Sequence, residues 1–265
     1  MITYNNKEYP KALIYGDTHG CVEQVMELLA QAKLDNQIIP GRDLILSTGD
    51  LVDRGPDSTL NIRLCMNLGI QPVKGNHDDK WVRWRRNTQR ELKDNNYKNK
   101  MRPLGPRDLE EFAKLTDEDH EWLAALPEFI EFKTLNQEYI VVHAGFLPGI
   151  PWRRQVFNTM CRLRYVDQDT KQMIPYRKDN DPPSNGKYWT EFWQGPEKVI
   201  YGHQVHDLNH VRVSNNNLCY GIDTGCCYAG NLTAMIIDAS NPYQDKISYQ
   251  QVKSSRAYAE LWSHE

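Results

Sequence analysis

Short apolar runs and amphipathic stretches alternate along the first third of the chain. Ala12 to Tyr15 predicts a buried strand, and Val22 to Ala32 an amphipathic helix. Leu44 to Leu46 and Ile70 to Val73 predict two further strands, with a helix from about Ser58 to Leu68 between them. Strand, polar turn and helix thus occur three times in order, which is the pattern of an α/β fold. Residues 79 to 130 break this rhythm and read as helical. Tyr139 to Val142 is again a strand, Arg154 to Tyr165 fits neither period, and the polar, proline-containing stretch from Asp167 to Gly186 reads as an excursion loop. The remainder is strand-rich: Lys198 to Tyr201, Val211 to Val213, Leu218 to Ile222, Leu232 to Ile237 and Lys246 to Gln250. No internal repeat or low-complexity tract interrupts it.

The strand ends carry the chemistry. Gly16-Asp17-Thr18-His19-Gly20, Gly49-Asp50, Gly75-Asn76-His77-Asp78, His143-Ala144-Gly145 and Gly202-His203 each set an Asp, Asn or His beside glycine. Glycine permits the tight turn that aims a side chain off a strand tip, and the carboxyl ends of strands are where open α/β sheets place ligands. Carboxylate, amide oxygen and imidazole, without a thiolate, suit a borderline-hard divalent ion such as manganese, iron or zinc.

Composition narrows the setting. With 40% hydrophobic and 25% charged residues the chain is an ordinary globular protein, and a net charge of -3 means that any attraction for an anionic substrate is local. No run approaches the roughly 18 apolar residues of a membrane span, and the polar start, Met1 to Pro10, does not read as a signal peptide. The six cysteines form no C-x-x-C pair, so a reduced, cytoplasmic chain is expected, with Cys226 and Cys227 as small buried thiols. Candidate residues spread from Asp17 to Gly225, which predicts a single domain over 1–265 with a basic helical insertion at about 79–130. Between Lys80 and Arg107 ten Lys or Arg face two acidic residues, Glu91 and Asp94. That is either a solvated helical face or, given Trp81, Trp84 and Arg85-Arg86, a surface for nucleobases and phosphates.

Taken together, Gly16-Asp17-x-His19-Gly20, Gly49-Asp50-x-x-Asp53-Arg54-Gly55, Gly75-Asn76-His77-Asp78, His143-Ala144-Gly145 and Gly202-His203 resemble the ordered signatures of calcineurin-like metallophosphoesterases. Within that family they resemble the branch of the Ser/Thr protein phosphatases and the ApaH-type and PrpE-type bis(5'-nucleosyl)-tetraphosphatases. The resemblance implies an α/β fold of two packed β-sheets flanked by helices. It also implies two divalent ions, manganese first, with iron, zinc, nickel or cobalt as alternatives. Asp17, His19 and Asp50 would hold one, and Asp50, Asn76, His143 and His203 the other, with Asp50 bridging and a shared hydroxide attacking phosphorus. By the same resemblance His77 protonates the leaving oxygen, Asp53 orients His77, and Arg54 grips the phosphate. Arg162 and Arg164 are similar to paired phosphate-binding arginines of ApaH-type enzymes.

The branch is read from Ile222-Asp223-Thr224-Gly225-Cys226-Cys227, which resembles the Asp-Thr-Gly-Cys element of the nucleotide hydrolases rather than the Pro-Asn-Tyr-Cys element of protein phosphatases. A dinucleoside polyphosphate is therefore the expected substrate. A phosphoprotein or an RNA end or cap is the alternative, and an inactive binding module the remote one. His120, His210 and His264 lie outside every signature and read as ordinary core or surface residues. His206, three positions beyond His203, is a candidate contact to a ligand or substrate.

Overall fold

A computed structural model describes residues 3–5, 11–175 and 184–261 of the chain. The chain opens with β1 (Thr3–Asn5), β2 (Lys11–Tyr15), α1 (Val22–Asn36), β3 (Leu44–Ser47), α2 (Ser58–Leu68) and β4 (Gln71–Pro72). There follow α3 (Asn76–Lys93), α4 (Pro106–Ala113), α5 (Asp117–Ala125), β5 (Phe129–Lys133) and β6 (Glu138–Val142). After a 3-10 turn at Trp152–Arg154 come α6 (Phe157–Met160), β7 (Tyr165–Asp167), β8 (Met173–Ile174) and β9 (Gly186–Tyr188). The chain ends with β10 (Lys198–Tyr201), β11 (Arg212–Ser214), β12 (Cys219–Gly221), β13 (Asp223–Thr224), β14 (Asn231–Asp238) and β15 (Lys246–Lys253).

Two large sheets result. One has the order β1-β5-β6-β10-β12-β11; the other runs β13-β14-β2-β3-β4, with β15 also on β14. β2, β3 and β4 are mutually parallel, as are β6, β10 and β12. Their strand ends therefore deliver Asp17, Asp50, Asn76, His143 and His203 to one edge of the paired sheets, as the α/β reading predicts.

Strand periodicity builds the layers. Successive side chains point to opposite faces, so Ala12 and Ile14 of β2 join one core cluster while Leu13 and Tyr15 join another. β6 divides in the same way, with Tyr139 and Val141 facing the first cluster and Ile140 and Val142 a third. The shared cluster, with Leu46, Val73, Ile200 and Met235, fills the space between the sheets. The outer face of the β2–β4 sheet is covered by α1, α2, α3 and α5 through Val25, Leu28, Ile62, Trp81 and Leu123. The outer face of the other sheet meets Phe146, Trp152, Met160, Leu163 and Trp189, from short helical turns and loops.

Helix boundaries follow local chemistry. The Asp57 carboxylate caps α2 by accepting from the Leu60 N–H at 2.7 Å, and Gly69 ends that helix at φ 67°. Thr116 and Asp119 form a capping box at the start of α5.

Two stretches differ from the sequence reading. The helical stretch ends earlier than expected, because Phe129 and Ile130 already belong to β5, where Ile130 and Phe132 point into the core in strand alternation. The expected loop from Asp167 to Gly186 carries both edges of a three-stranded sheet, β8-β7-β9, on strands too short for periodicity to register; its residues 176–183 lie outside the described residues. The expected strand from Leu218 to Ile222 is β12, and the chain changes sheets directly after it. β12 belongs to one sheet and β13 to the other, and Ile222 between them is buried in the inter-sheet core.

Candidate metal centre

The signature turns adopt backbone that ordinary residues avoid. His19, Asp50, Asp53, Arg54 and His203 have φ of 46, 50, 68, 70 and 69°, a left-handed conformation that costs a non-glycine residue on the order of 1–3 kcal/mol each. Cross-links between turns hold it in place. The His19 N–H donates to Asp50 O at 2.8 Å, Gly20 N–H to Leu51 O at 2.8 Å, and Gly202 N–H to His143 O at 2.9 Å. Two glycines are required by close approach. A Cβ on Gly75 would stand 2.0 Å from Asp50 Oδ1, and one on Gly202 would stand 2.0 Å from Asp17 Oδ1.

Asp50 Oδ2 lies at the middle of the cluster. His143 Nε2 is 3.3 Å from it, His19 Nε2 3.8 Å and His77 Nε2 3.9 Å, while Asp50 Oδ1 accepts the His77 backbone N–H at 2.9 Å. Partner carbonyls decide which ring nitrogen faces inward. His143 Nδ1 is 2.7 Å from Thr48 O and His19 Nδ1 is 2.9 Å from Val52 O. A carbonyl only accepts, so both δ nitrogens carry the proton in the neutral rings and both ε nitrogens present lone pairs to the centre. Asn76 Oδ1 lies 3.0 Å from His143 Nε2. His203 packs against His143 with ring centroids 5.0 Å apart, and its buried Nε2 has no hydrogen-bond partner among the described residues. Asp17 is steadied by Thr48 Oγ1, which donates to its Oδ1 at 2.6 Å, and by the His203 N–H, which donates to its Oδ2 at 2.8 Å.

These donors fit a cation site. Lone pairs of imidazole, amide and carboxylate face one another across a buried space, and only positive charge relieves that arrangement. Two groups share the Asp50 carboxylate: His19 and His77 on one side, His143 and His203 on the other. The field of the site says the same. Burial pushes the His143 imidazolium down, yet Asp50 and Asp17 outweigh it and lift its pKa to about 9. His19 and His203 go the other way, well below their ordinary value, because burial is joined by Arg54 at His19 and by Arg164 at His203. His19, Asp50, Asn76, His143 and His203, with Asp17 alongside, could hold divalent ions.

Beside this set, Asp53 and His77 form a dyad. Asp53 Oδ2 is 2.6 Å from His77 Nδ1, which turns His77 Nε2 toward Asp50. Burial raises the Asp53 carboxyl, but bonding to His77, Lys80 and Trp81 holds it far below the usual carboxylate range. Arg54 Nη1 lies 2.9 Å from His19 Nε2, and the guanidinium sits 5.4 Å over the Tyr228 ring.

Several supporting residues escape a sequence reading. Thr48 serves both halves, with its hydroxyl on Asp17 and its carbonyl on His143. Lys80 Nζ lies 3.0 Å from Asp53 Oδ2, and the Trp81 indole N–H donates to Asp53 Oδ1. Asp78 accepts the N–H groups of Asp50, Leu51 and Gly75 at 2.8–2.9 Å, and burial, with Asp50 nearby, lifts its carboxyl to about 6. Asp78 stands inside the third signature, which was the one available signal; Thr48 and Lys80 gave none, and Trp81 pointed to a different role.

The two predicted arginines part company. Arg162 donates to Asn158 Oδ1 at 3.0 Å and lies 3.7 Å from Asp79. Arg164 is close enough to His203 to depress its protonation. Asp223, buried at β13, has its carboxyl lifted to about 6 by burial, against the pull of the Gly225 N–H and Arg54. Trp81 is fully buried and so cannot stack on a base, while Trp84 packs half-buried on the same core. Arg83 pairs with Asp79 and Arg85 with Asp117, so part of the basic stretch is internally neutralised. His120 packs on Phe112 and His210 is exposed beside Asp207, as expected of ordinary histidines; His264 lies outside the described residues. All six cysteines are buried as free thiols.

The family model described as calcineurin-like phosphoesterase matches residues 10–237. The chain belongs to the calcineurin-like phosphoesterases. It is 28% identical over 271 residues to a symmetrical bis(5'-nucleosyl)-tetraphosphatase of Yersinia enterocolitica, covering 84% of this chain and 86% of that protein. It also resembles a crystal structure of a provisionally assigned diadenosine tetraphosphatase, with a TM-score of 0.73, 25% identity and 96% and 97% of the two chains covered. A Ser/Thr phosphatase from Saccharomyces cerevisiae, at 16% identity, TM-score 0.55 and 95% and 82% coverage, shares the fold alone. As a metallophosphoesterase the chain is a hydrolase of phosphoric ester or anhydride bonds, and the family implies divalent metal ions. No helix among the described residues is long and apolar enough to cross a membrane.

Proposed function

We propose that this metallophosphoesterase uses two divalent ions, manganese by preference, to cleave a dinucleoside polyphosphate of the bis(5'-nucleosyl)-tetraphosphate type. The observation that carries the dinuclear reading is the Asp50 carboxylate, shared between the His19 side and the His143–His203 side. Asp17, His19 and Asp50 would hold one ion, and Asp50, Asn76, His143 and His203 the other. Bound there, the ions would lower the pKa of water and polarise the phosphoryl oxygens. The nucleotide substrate is supported by the Asp223 to Cys227 element and by the names of the relatives.

The protein's own groups then have distinct tasks. Arg54, steadied over Tyr228, presents a planar fork to the phosphate, which a lysine could not imitate. Asp53 fixes the His77 ring so that Nε2 faces the centre, where it delivers a proton to the leaving oxygen. Lys80 and Trp81 hold Asp53 in its ionised form. Arg164, beside His203, contributes positive charge on the other flank.

The test is a substrate panel with the manganese-loaded protein. Diadenosine tetraphosphate, capped RNA and a phosphopeptide are compared, with products separated by ion-exchange chromatography. Two ADP per dinucleotide indicate symmetric cleavage, and AMP with ATP asymmetric cleavage. No turnover of the dinucleotide beside brisk release of phosphate from the peptide would sink the nucleotide reading in favour of a protein phosphatase.

A further inference from the structure

Beyond His203, the centre continues into a polar region that the chemistry above does not use. Gln204 Oε1 and His206 Nε2, on the loop directly after His203, are buried and have no hydrogen-bond partner among the described residues. A buried polar group left unpaired costs about 1–3 kcal/mol, so they mark a place beside the centre where a polar ligand completes the protein's bonding.

Within this region, three elements converge. Arg212 opens the edge strand β11, Tyr188 ends β9, and His206 lies in the loop after β10. The Arg212 guanidinium sits 4.5 Å over the Tyr188 ring, and its Nη1 is 3.1 Å from His206 Nδ1. Arginine only donates, so His206 Nδ1 accepts and Nε2 carries the proton. That Nε2–H is buried and finds no acceptor. The His206 ring also stands edge-on to Tyr188, 4.8 Å between centroids. Burial, then Arg212 and Arg164, hold its pKa down to about 3, so it stays neutral and acts as a donor near neutral pH. No carboxylate pairs with Arg212 among the described residues. Tyr188 lies 6.1 Å between ring centroids from Tyr201, which ends β10 two residues before His203, so Arg212 stands on the flank of the centre that β10 delivers.

We propose that Arg212, held on Tyr188 by His206, is a second phosphate-binding site that takes a phosphate of the substrate chain remote from the one attacked. This rests on the polyphosphate reading of the substrate and adds a residue that selects chain length. A stacked guanidinium is already oriented, so little rotamer freedom is lost when it binds two phosphate oxygens at once. With a net charge of -3 on the whole protein, such local positive charge is what a multiply charged chain would recognise.

The experiment measures inhibition of p-nitrophenyl phosphate hydrolysis by the manganese-loaded protein, with inorganic tripolyphosphate and with orthophosphate, at fixed free manganese. The readout is the ratio of the two inhibition constants, in the wild type, Arg212→Gln and Arg212→Lys. Arg212→Gln is expected to erode the preference for tripolyphosphate by about tenfold, the scale of one charged hydrogen-bonding contact. Arg212→Lys, which keeps the charge and loses the fork, should fall between. A ratio within about twofold of wild type in both variants would overturn the site. If the glutamine variant does not fold, as judged by its thermal melt, the lysine variant alone decides: a weakened preference supports the site and an unchanged one rejects it. Diadenosine tetraphosphate is not a probe here, so its failure as a substrate would reject the proposed function while leaving this comparison readable.

Discussion

Asp53 and Asp78, on the β2–β4 side of the centre, each accept from three donors: His77, Lys80 and Trp81 for one, and the N–H groups of Asp50, Leu51 and Gly75 for the other. His203 and His206, on the β10 side, each keep a buried ring nitrogen without a hydrogen-bond partner among the described residues. The first side is complete in itself. Its carboxylates are fixed by backbone and core side chains, so its geometry does not depend on a ligand. The second side leaves hydrogen-bonding capacity open, which a ligand would satisfy. Pre-organised charge on one flank and unfilled ring nitrogens on the other suit a hydrolase that holds its reacting groups rigidly and draws part of its order from what it binds.

Asp50 joins the two sides, so its loss should have the largest effect. Asp50→Ala is expected to bring activity to background and to lower the bound manganese, read by elemental analysis. Full metal content in that variant would break the claim that one carboxylate serves both flanks. Next is His77→Gln on the closed side. Cleavage of a phosphoserine peptide should fall by about 10²–10⁴, the range for a lost general acid, whereas the anhydride of diadenosine tetraphosphate, with its better leaving group, should suffer much less. An equal loss on both substrates would instead place His77 among the groups that hold the metal.

A smaller change is expected from Thr48→Val, which keeps the backbone carbonyl on His143 and removes the hydroxyl from Asp17. Metal affinity should drop by about 10–100-fold, as for other residues that orient ligands, measured by competition with a chelator. The smallest effect should come from Trp81→Phe, which deletes one of three donors to Asp53. A loss of about tenfold or less in kcat is expected, with little change in metal content. If Trp81→Phe exceeded Thr48→Val in its effect on metal content, the closed side would not be as self-supporting as its bonding suggests.

The strand-end turns were legible because their information is local. Gly16 to Gly20, Gly49-Asp50 and Gly75 to Asp78 need glycine beside a polar residue in adjacent positions, and the left-handed φ of His19 and Asp50 confirms unusual backbone there. The early strands and helices were legible for the same reason, since α2 runs from Ser58 to Leu68 as its apolar spacing suggests. The small β8-β7-β9 sheet was not, because strands of two or three residues are too short to show a period. The switch between sheets after Ile222 was hidden as well, because only the pairing of β12 with β10 and of β13 with β14 reveals it.

By itself, then, the sequence determined the class of chemistry. An ordered set of Asp, His and Asn at glycine-bounded strand ends specifies hard and borderline ligands in turns that the local chain must form. Tertiary structure alone decided how those ligands are supported and what lies beside them. Thr48 reaching both Asp17 and His143, Trp81 and Lys80 converging on Asp53, and Arg212 stacking on Tyr188 are contacts between residues far apart in the chain. No spacing rule encodes such contacts. They exist because two sheets pack with their strand ends at a common edge, which brings residues 17 and 203 within one hydrogen bond of each other.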